Sequence, residues 1–381
     1  MINFAPSDAV IRVEEASLRT QQPQSGGDMV SLAMGEPDFD TPERIRRSAA
    51  AALEAGHTHY AAQLGDADLR AAVADQVSAL AGTTFGSDQI LVTHGGTGGL
   101  AAAILATVNP GDKVVIPDPT YSLYADLVHL AGGVCVPVAL QDDLHWDLDS
   151  LAAALAGAKL FVFCNPSNPT GVVHRTKELE VLGEILRKSD TLVIADEAYS
   201  ELVYGSEPFT SALQIPELVE RTLYCQTFSK SYAMTGWRVG YLAGSSAVVA
   251  ACARVHNSNN GSVNTAVQRA ALTALTDCAD DVAAMREAYR ARRILMREAL
   301  SQVPGLEVGD PEGAFYFFPK YSADVPSVEV VRILREHGVA VRPGSEFGAH
   351  GEGHLRLSYA ASSEAITEGV ARLARGLASL A

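Results

Sequence analysis

The sequence is short of cysteine, of basic residues and of long apolar runs. Its five cysteines are odd in number, widely spaced and without a C-x-x-C pair, which argues against a disulfide framework or a zinc knuckle. No apolar run approaches the ~20 residues that span a bilayer, and the N-terminal residues lack the apolar core of a signal peptide. These absences predict a cytoplasmic protein with reduced thiols and no membrane contact.

The shortage of basic residues also limits the partners. Lys and Arg number 29 against 45 Asp and Glu, so the formal net charge is −16. Proteins that bind nucleic acid or anionic membranes present a basic surface, and neither partner is predicted here. A phosphate or another anion must then be held by a local group of donors against the overall field. The 381 residues suffice for two or three domains, each with its own core.

Between residues 42 and 275, short apolar runs alternate with helical stretches. The runs are bounded by Gly, Pro, Asn or Asp and are apolar on both faces, as is typical of parallel strands covered on both sides. They comprise residues 89–93, 113–117, 134–140, 160–164, 191–195, 223–225 and 241–243. After residue 277 a long helical stretch, 280–301, precedes short strands and helices. This order predicts an α/β domain followed by a smaller α+β domain.

Glycines follow the first of these strands. Residues 93–101 read Thr-His-Gly-Gly-Thr-Gly-Gly-Leu-Ala and open an Ala-rich helix, whose first N–H groups attract anions. Gly96, Gly98 and Ala101 also fit G-x-G-x-x-A, the dinucleotide fingerprint, and Asp118 lies about 20 residues further on. A tight turn without a ligand, a phosphate site and a nicotinamide-dependent dehydrogenase all stay open at this point.

Two further strands end in polar residues. Asp196 ends an apolar run, where open α/β sheets bind ligands, and a cationic heterocyclic nitrogen would be a suitable partner for its carboxylate. Tyr199 can present its hydroxyl from the same loop. After the run 160–164, two Asn-Pro units make a rigid loop from which Asn168 can donate to a ligand oxygen. The structural alternatives are a helix cap for Asp196 and a simple turn for the Asn-Pro units.

One lysine, Lys230, lies in a hydroxyl-rich turn directly after the run 223–225. A lysine that is desolvated or next to another cation loses its proton more readily and becomes a Schiff-base nucleophile. The hydroxyls of Thr227 and Ser229, together with Arg238, are suitable phosphate ligands. The alternative is a solvated lysine and a surface arginine, which leaves this concentration of donors unexplained.

No metal site is predicted. His350 and His354 occur in His-Gly-Glu-Gly-His, a spacing that hints at metal ligation. The surrounding segment is a Gly-rich turn, and such a turn is more typical of a solvated loop.

Taken together, these motifs resemble those of the fold type I pyridoxal-phosphate-dependent aminotransferases of class I and II, near the aspartate aminotransferase group. The resemblance runs from Ala-Met-Gly-Glu-Pro at 33–37 to Leu-Arg-Leu-Ser-Tyr at 355–359. It implies a large α/β domain, 41–279, with a mostly parallel seven-stranded sheet covered by helices. It also implies a small α+β domain, 280–381, and an N-terminal segment, 1–40, that packs with the small domain.

The resemblance also implies roles for the candidate residues. Lys230 would form the internal aldimine with pyridoxal 5'-phosphate and later move the substrate proton. Asp196 would pair with the pyridinium nitrogen and keep the ring an electron sink. Tyr199 and Asn168 would bind the phenolic oxygen, and Tyr121 would stack on the ring. The implied phosphate ligands are Gly95, Gly96, Thr97, Thr227, Ser229 and Arg238.

Substrate and subunit contacts are implied in the same way. Arg356 would grip the α-carboxylate of the substrate, with Asn168 beside it, and Gly35 would line the same end of the pocket. Tyr60 would reach the phosphate of a neighbouring subunit, which implies a homodimer with shared sites. Thr97 stands where several bacterial aspartate-type members place a lysine that helps to bind a side-chain carboxylate. Neutral, aromatic and basic amino donors therefore stay open beside dicarboxylates.

The leading hypothesis is transamination between an L-amino acid and a 2-oxo acid in a ping-pong cycle. A pyridoxal-phosphate-dependent β-elimination lyase acting on C–S bonds shares every motif above and is the alternative. A nicotinamide-dependent dehydrogenase leaves Lys230, Arg238 and the two Asn-Pro units unexplained. A binding protein without activity does not fit the presence of Lys230, Asp196 and Arg238 together.

Overall fold

The computed structural model describes residues 4–18, 28–205 and 207–380. The α-helices of this part are, in chain order, α1 (Asp8–Ala16), α2 (Glu43–Glu54), α3 (Ala67–Ala81), α4 (Gly95–Thr107), α5 (Leu123–Ala131), α6 (Leu148–Leu155), α7 (Thr176–Leu186), α8 (Pro216–Val219), α9 (Phe228–Ser231), α10 (Ser246–Asn260), α11 (Thr265–Asp277), α12 (Ala279–Leu300), α13 (Ser327–Glu336) and α14 (Ser363–Ala378). The strands are β1 (Val30–Ser31), β2 (Ile90–Thr93), β3 (Lys113–Asp118), β4 (Val134–Ala139), β5 (Leu160–Cys164), β6 (Leu192–Asp196), β7 (Thr222–Thr227), β8 (Gly240–Ala243), β9 (Leu306–Glu307), β10 (Tyr316–Phe317), β11 (Lys320–Tyr321), β12 (Val339–Ala340), β13 (Arg342–Pro343) and β14 (Leu355–Ser358).

Seven strands form the large sheet, in the order β2-β8-β7-β6-β5-β3-β4. The strands from β7 to β4 are parallel, whereas β8 runs antiparallel to both β2 and β7. This arrangement confirms the predicted α/β fold with a mostly parallel seven-stranded sheet. Parallel order places the carboxyl ends of β5, β6 and β7 at one edge of the sheet, where ligands of open α/β sheets bind.

The central strands are apolar throughout because both faces of the sheet are covered. In β5, Phe161 and Phe163 join one core cluster, and Leu160 and Val162 join the cluster on the opposite face. All five residues of β5 are buried. Side chains alternate between the two faces of a strand, so a sheet with two buried faces needs a continuous apolar run.

Strand β7 is longer than its predicted run, 223–225. It continues through Gln226 and Thr227, which lie opposite Tyr241 and Gly240 of β8. Because Gln226 and Thr227 are polar, the apolar pattern that identifies the other strands does not extend to them. The strand therefore extends to the residue that caps the short helix α9, where Thr227 Oγ1 accepts from the backbone N–H of Ser229.

The C-terminal part has the predicted long helix, α12, followed by small sheets. Strands β10, β14 and β13 form an antiparallel sheet in which Arg342 lies opposite Arg356. Strand β1, within the N-terminal segment, pairs in parallel with β12. The domain limits at residues 40 and 279 stay predictions, and residues 1–3 and 19–27 of the predicted N-terminal segment lie outside the described residues.

Two helices begin at residues with a clear structural role. Asp66 caps α3, since its Oδ1 accepts from the N–H groups of Asp68 and Leu69 at 3.0 Å each. Helix α4 begins at Gly95, directly after β2, and buries Leu100 and Ile104. Within the ranges that the structure describes, no helix combines the length and apolar character needed to cross a membrane.

Candidate active site

A cavity of about 300 Å³ lies at the carboxyl ends of the central strands. The predicted site residues that line it are Gly35, Gly96, Thr97, Tyr121, Asn168, Asp196, Tyr199, Thr227, Ser229, Lys230, Arg238 and Arg356. They come from several separate segments of the sequence, and the parallel strand order brings these segments to one edge of the sheet.

Lys230 reaches this cavity from α9, the short helix that follows β7. Its Nζ donates a hydrogen bond to the carbonyl oxygen of Gly35 at 2.5 Å. The rings of Tyr199 and Phe315 lie 5.9 and 5.8 Å from the same nitrogen, measured to their centroids. Desolvation, assisted by the nearby guanidinium of Arg356, lowers the pKa of Lys230 to about 8. A much larger share of this lysine is therefore uncharged near neutral pH than of a solvated one.

Asp196 is the last residue of β6, and its carboxylate is held from two sides. Oδ2 accepts a hydrogen bond from the Tyr124 hydroxyl at 2.8 Å, and Oδ1 accepts from the N–H of Ala198 at 3.3 Å. The pKa of Asp196 is raised, because the effect of burial outweighs the two hydrogen bonds and the charge of Lys230, which lower it. The carboxylate lines the cavity and is suited to pair with a cationic group of a ligand.

The N-terminus of α4 and Arg238 form the side of the site suited to an anion. Gly95 has φ +66°, and a Cβ placed there would lie 2.9 Å from Nη2 of Arg238. Glycine at this position therefore lets the guanidinium lie against the helix N-terminus. Hydroxyls of Thr227 and Ser229 are 2.9 Å apart and line the same cavity. Free N–H groups, hydroxyls and a guanidinium are the donors that a phosphate needs.

Arg356 lies in β14 and is only 7% exposed. Its Nη1 donates to Asn168 Oδ1 at 3.0 Å, and its Nη2 donates to the carbonyl oxygen of Ala33 at 2.8 Å. The guanidinium carbon lies 4.4 Å from the ring centroid of Tyr316 and 4.8 Å from that of Phe347. Its Nε has no hydrogen-bond partner among the described residues. The guanidinium is therefore fixed in place and can still donate to a carboxylate.

Tyr124, Tyr316 and Phe347 belong to the site but are not predicted from the sequence. The hydroxyls of Tyr199 and Tyr316 are 2.9 Å apart, so the two form a hydrogen bond inside the cavity wall. A Cβ at Gly35 would overlap the Tyr316 hydroxyl, which explains why glycine occupies that position. Each of the three aromatic residues contacts a predicted residue that lies outside its own helix or strand. The one signal in the sequence is Tyr124, which lies three residues after Tyr121 at a helix start.

Tyr121 lines the cavity and packs edge-on against Tyr124, with ring centroids 5.6 Å apart. Two other predicted residues, Gly95 and Tyr60, do not line the cavity. Gly95 does not line the cavity itself and acts on it through Arg238. Tyr60 is 97% exposed and lies outside the cavity. Its predicted contact with a neighbouring subunit stays a prediction.

The surroundings of α4 do not match a dinucleotide-binding unit. Such a unit joins two neighbouring parallel strands of one sheet through the helix that carries the glycines. Here β2, which precedes α4, lies at the edge of the sheet and pairs with the antiparallel β8, whereas β3, which follows α4, lies near the opposite edge of the sheet.

His350 and His354, whose spacing in the sequence hints at metal ligation, have different partners. Nδ1 of His350 lies 2.9 Å from Oδ2 of Asp118. Nδ1 of His354 lies 3.2 Å from the carbonyl oxygen of Glu352.

Comparison with known proteins gives consistent results along the chain. A profile of the family described as aminotransferase class I and II matches residues 27–373. The aspartate/prephenate aminotransferase of Cereibacter sphaeroides is 37% identical over 366 residues, which cover 92% of this chain and 91% of that protein. The chain is therefore similar to a characterised group of enzymes over nearly its full length.

Solved structures agree with the sequence comparison. The structure of aspartate aminotransferase from Thermus thermophilus with maleate has a TM-score of 0.88 at 36% identity, covering 98% of this chain and 97% of that one. The structure of aromatic aminotransferase from Pyrococcus horikoshii OT3 has a TM-score of 0.90 at 34% identity, covering 97% of this chain and 99% of that one. The fold of this chain is therefore one that is already known among aminotransferases.

Proposed function

Because the chain belongs to the family of class I and II aminotransferases, we propose that it transfers the amino group of an L-amino acid to a 2-oxo acid, with pyridoxal 5'-phosphate as cofactor. The observation that carries this proposal is Lys230. Its desolvated amine shares one cavity with the carboxylate of Asp196 and with the guanidinium groups of Arg238 and Arg356.

The donor set fits this cofactor at each of its polar groups. Asp196 offers a carboxylate to the pyridinium nitrogen, and Tyr199 and Asn168 offer polar groups to the phenolic oxygen. Tyr121 offers a ring for stacking on the pyridine. Gly95 lets the guanidinium of Arg238 lie against the N-terminus of α4, because a Cβ at this position would lie 2.9 Å from Nη2 of Arg238. The proposed phosphate ligands are Gly95, Gly96, Thr97, Thr227, Ser229 and Arg238.

Lys230 has two tasks in the proposed mechanism. Bound pyridoxal phosphate supplies an aldehyde that exchanges amines and a ring that accepts the electron pair left when a Cα–H bond breaks. Lys230 would hold the cofactor through Nζ. Its amine, when free of the cofactor, would remove the proton from the substrate Cα. Its lowered pKa provides the uncharged form that a base requires.

Arg356 would orient the substrate for this proton transfer. Its guanidinium is held by Asn168 and Ala33 between two aromatic rings, so it can bind the α-carboxylate without moving. Gly35 would line the same end of the cavity, where Lys230 Nζ already contacts its carbonyl oxygen. By fixing the carboxylate, Arg356 would help to hold the Cα–H bond in an orientation toward Lys230. Such positioning of reacting groups contributes much of the rate acceleration of enzymes.

The two halves of the reaction use the same residues in a ping-pong order. The amino donor leaves its nitrogen on the enzyme and departs as a 2-oxo acid. The acceptor 2-oxo acid then takes up the nitrogen and departs as an amino acid. The exchange of an amino group for an oxo group balances without an external oxidant or reductant.

We also propose a cytoplasmic homodimer with shared sites. The exposed Tyr60 would contact the phosphate bound by a neighbouring subunit. The five cysteines are free thiols, as suits a reducing compartment.

The amino donor stays open. Thr97 brings no cation to the end of the cavity that would receive the substrate side chain. The relatives described above carry the names of aspartate, prephenate and aromatic aminotransferases, and neutral and basic donors also stay open. The test of function therefore includes acidic, aromatic, neutral and basic donors.

The proposed function is tested with a matrix of amino donors and 2-oxo acceptors added to the holoenzyme, with the products separated by chromatography. We expect a new amino acid and a new 2-oxo acid in equal amounts, and parallel double-reciprocal plots for a ping-pong order. Release of ammonia and pyruvate from cysteine conjugates, without amino transfer, would instead identify the β-elimination lyase. A purified protein that never takes up pyridoxal phosphate would contradict both activities.

Covalent uptake of pyridoxal phosphate by the apoprotein is expected to depend on pH. Only the uncharged amine attacks the aldehyde carbon, and the pKa of Lys230 is lowered to about 8. The uptake rate should therefore rise by about tenfold per pH unit up to pH 8 and level off above it. Stopped-flow absorbance of the imine band across this range measures the rate. A rate that continues to rise toward pH ~10.4, the pKa of a solvated lysine, would contradict the proposed environment of Lys230.

A further inference from the structure

We propose that His145, His174 and Glu178 bind a divalent transition-metal ion, with Zn²⁺ as the expected occupant. His145 lies in the turn between β4 and α6, His174 precedes α7, and Glu178 lies in the first turn of α7. The site is separate from the cavity that contains Lys230, and the inference does not depend on the proposed function.

The three side chains are already arranged around one point. Nδ1 of His145 lies 2.9 Å from Oε2 of Glu178, and Nδ1 of His174 lies 3.2 Å from Oε1. All the candidate ligand atoms lie within 4.8 Å of one another. Tetrahedral zinc with bonds of about 2.0–2.1 Å places its donor atoms about 3.3 Å apart. The ion would therefore need only small side-chain shifts and would replace the protons that now join the histidines to the carboxylate.

Neighbouring groups hold these ligands in position, as they do in metal sites. The indole of Trp146 stacks on the His174 ring, with centroids 3.9 Å apart. The backbone N–H of Arg175 donates to Oε2 of Glu178 at 2.9 Å. Packing and hydrogen bonds that orient the ligands reduce the cost of ordering them when the ion binds.

One side of the cluster is accessible to solvent, and the other side is buried. The side chain of His174 is only 4% exposed, whereas that of His145 is 22% exposed. An ion can enter from the side of His145 and keep a water molecule as its fourth ligand. Three protein ligands with one open position are typical of zinc bound by two histidines and one glutamate.

The ligand set selects the class of ion. Two imidazole nitrogens and one carboxylate suit Zn²⁺ and its neighbours in the first transition series. Ca²⁺ requires 6–8 oxygen ligands, and Mg²⁺ retains several waters and prefers carboxylates and phosphates. The two imidazoles therefore favour zinc over both of these ions.

Metal binding at this cluster would stabilise the loop that carries Asn168. The N–H of His174 donates to Oδ1 of Asn165 at 2.9 Å, and Nδ2 of Asn165 donates to the carbonyl oxygen of His174 at 3.2 Å. These two bonds join His174 to the start of the loop with the two Asn-Pro units. The ion would thus act as a structural clamp on the outer side of this loop.

The test uses tag-free holoenzyme treated with a chelator and then titrated with Zn²⁺ by isothermal calorimetry. We expect one equivalent to bind, with release of protons and a rise in Tm that the chelator reverses. His145→Asn should weaken zinc binding at least roughly 100-fold, because it removes a ligand. His350→Asn is the matched control, since His350 also pairs with a carboxylate through Nδ1, and it should bind zinc like the wild type.

Co²⁺ absorption of the wild-type protein gives a second readout that does not depend on how the variants fold. Bound Co²⁺ with nitrogen and oxygen ligands lacks the charge-transfer band of a cobalt thiolate. A thiolate band would place the ion at a cysteine and overturn the proposal. Absence of saturable zinc binding, or equal zinc affinity in His145→Asn and the wild type, would overturn it as well.

Discussion

Replacing Lys230 by alanine is expected to lower kcat for transamination at least about 10⁴-fold. In the proposed mechanism, the variant would lose both the covalent bond to the cofactor and the base that removes the proton from the substrate Cα. The proposed phosphate ligands, among them Arg238, remain, so pyridoxal phosphate should still bind without a covalent bond. Single-turnover measurements at saturating cofactor separate the lost chemistry from lost cofactor.

Two comparisons make this result specific to Lys230. Lys177→Ala removes an exposed lysine of α7 that pairs with Glu180 at 3.7 Å, and its kcat should equal that of the wild type. A small primary amine added to Lys230→Ala should restore part of the rate, because it can enter the cavity as a base. A Lys230→Ala enzyme that retains a substantial fraction of kcat would rule out the proposed role of the lysine.

The class of fold follows from local features of the sequence. In β5 the run Leu-Phe-Val-Phe-Cys is apolar at every position, and the structure shows why: alternate side chains enter the clusters on the two faces of the sheet. The position of β8 between β2 and β7 does not follow from the sequence in the same way. Its direction depends on the pairing of Tyr241 with Gln226 and of Gly240 with Thr227, which are contacts between separate segments.

The site residues that lie at the ends of strands could be predicted from the sequence. Asp196 and Lys230 follow apolar runs, and parallel order then brings them to one cavity. Tyr316 and Phe347 are different, because they act by packing on Arg356 from other segments of the chain. Nothing in their local sequence separates them from ordinary core aromatics. The resemblance to a family supplies the roles of the first group but does not supply these supporting contacts.

The proposed metal-binding cluster cannot be predicted from the sequence for a similar reason. His174 and Glu178 are four residues apart, but His145 is separated from both by α6, β5 and the loop with the two Asn-Pro units, so the complete set of ligands is not recognisable in the sequence. His350 and His354 have a suggestive spacing, yet they contact different partners. Spacing along the chain indicates a metal site when the ligands share one helix or loop, and the fold decides in other cases.

The acidic net charge of −16 is compatible with an anion site because the relevant charges are local. Arg238 and Arg356 both line the cavity, and the N-terminus of α4 adds unpaired N–H groups. The same cations contribute to the lowered pKa of Lys230. One arrangement thus attracts the phosphate and carboxylate of the proposed ligands and also supplies an uncharged amine between them.

Asp196→Asn is expected to lower kcat by roughly 10²–10³-fold, the effect of removing one preorganised electrostatic group. The ring nitrogen of the proposed cofactor needs an anion beside it to keep its proton, and asparagine is neutral at every pH. The substitution preserves the shape and an oxygen that can accept from Tyr124, so folding and cofactor binding should change little. Rapid-mixing measurement of the first half-reaction, with the bound cofactor quantified, tests this expectation.

Tyr124→Phe and Asp118→Asn serve as comparison variants for Asp196→Asn. Tyr124→Phe removes the hydrogen bond of 2.8 Å to Asp196 but leaves the charge, so it should lower kcat by about 10-fold, as a bond to a charged group would. Asp118 also ends a strand of the large sheet and is buried, but its carboxylate contacts His350, so Asp118→Asn should retain the wild-type kcat. Equal losses in Asp196→Asn and Asp118→Asn would indicate a general effect of removing buried charge. A larger loss at Tyr124 than at Asp196 would contradict the assignment of the negative charge as the acting group.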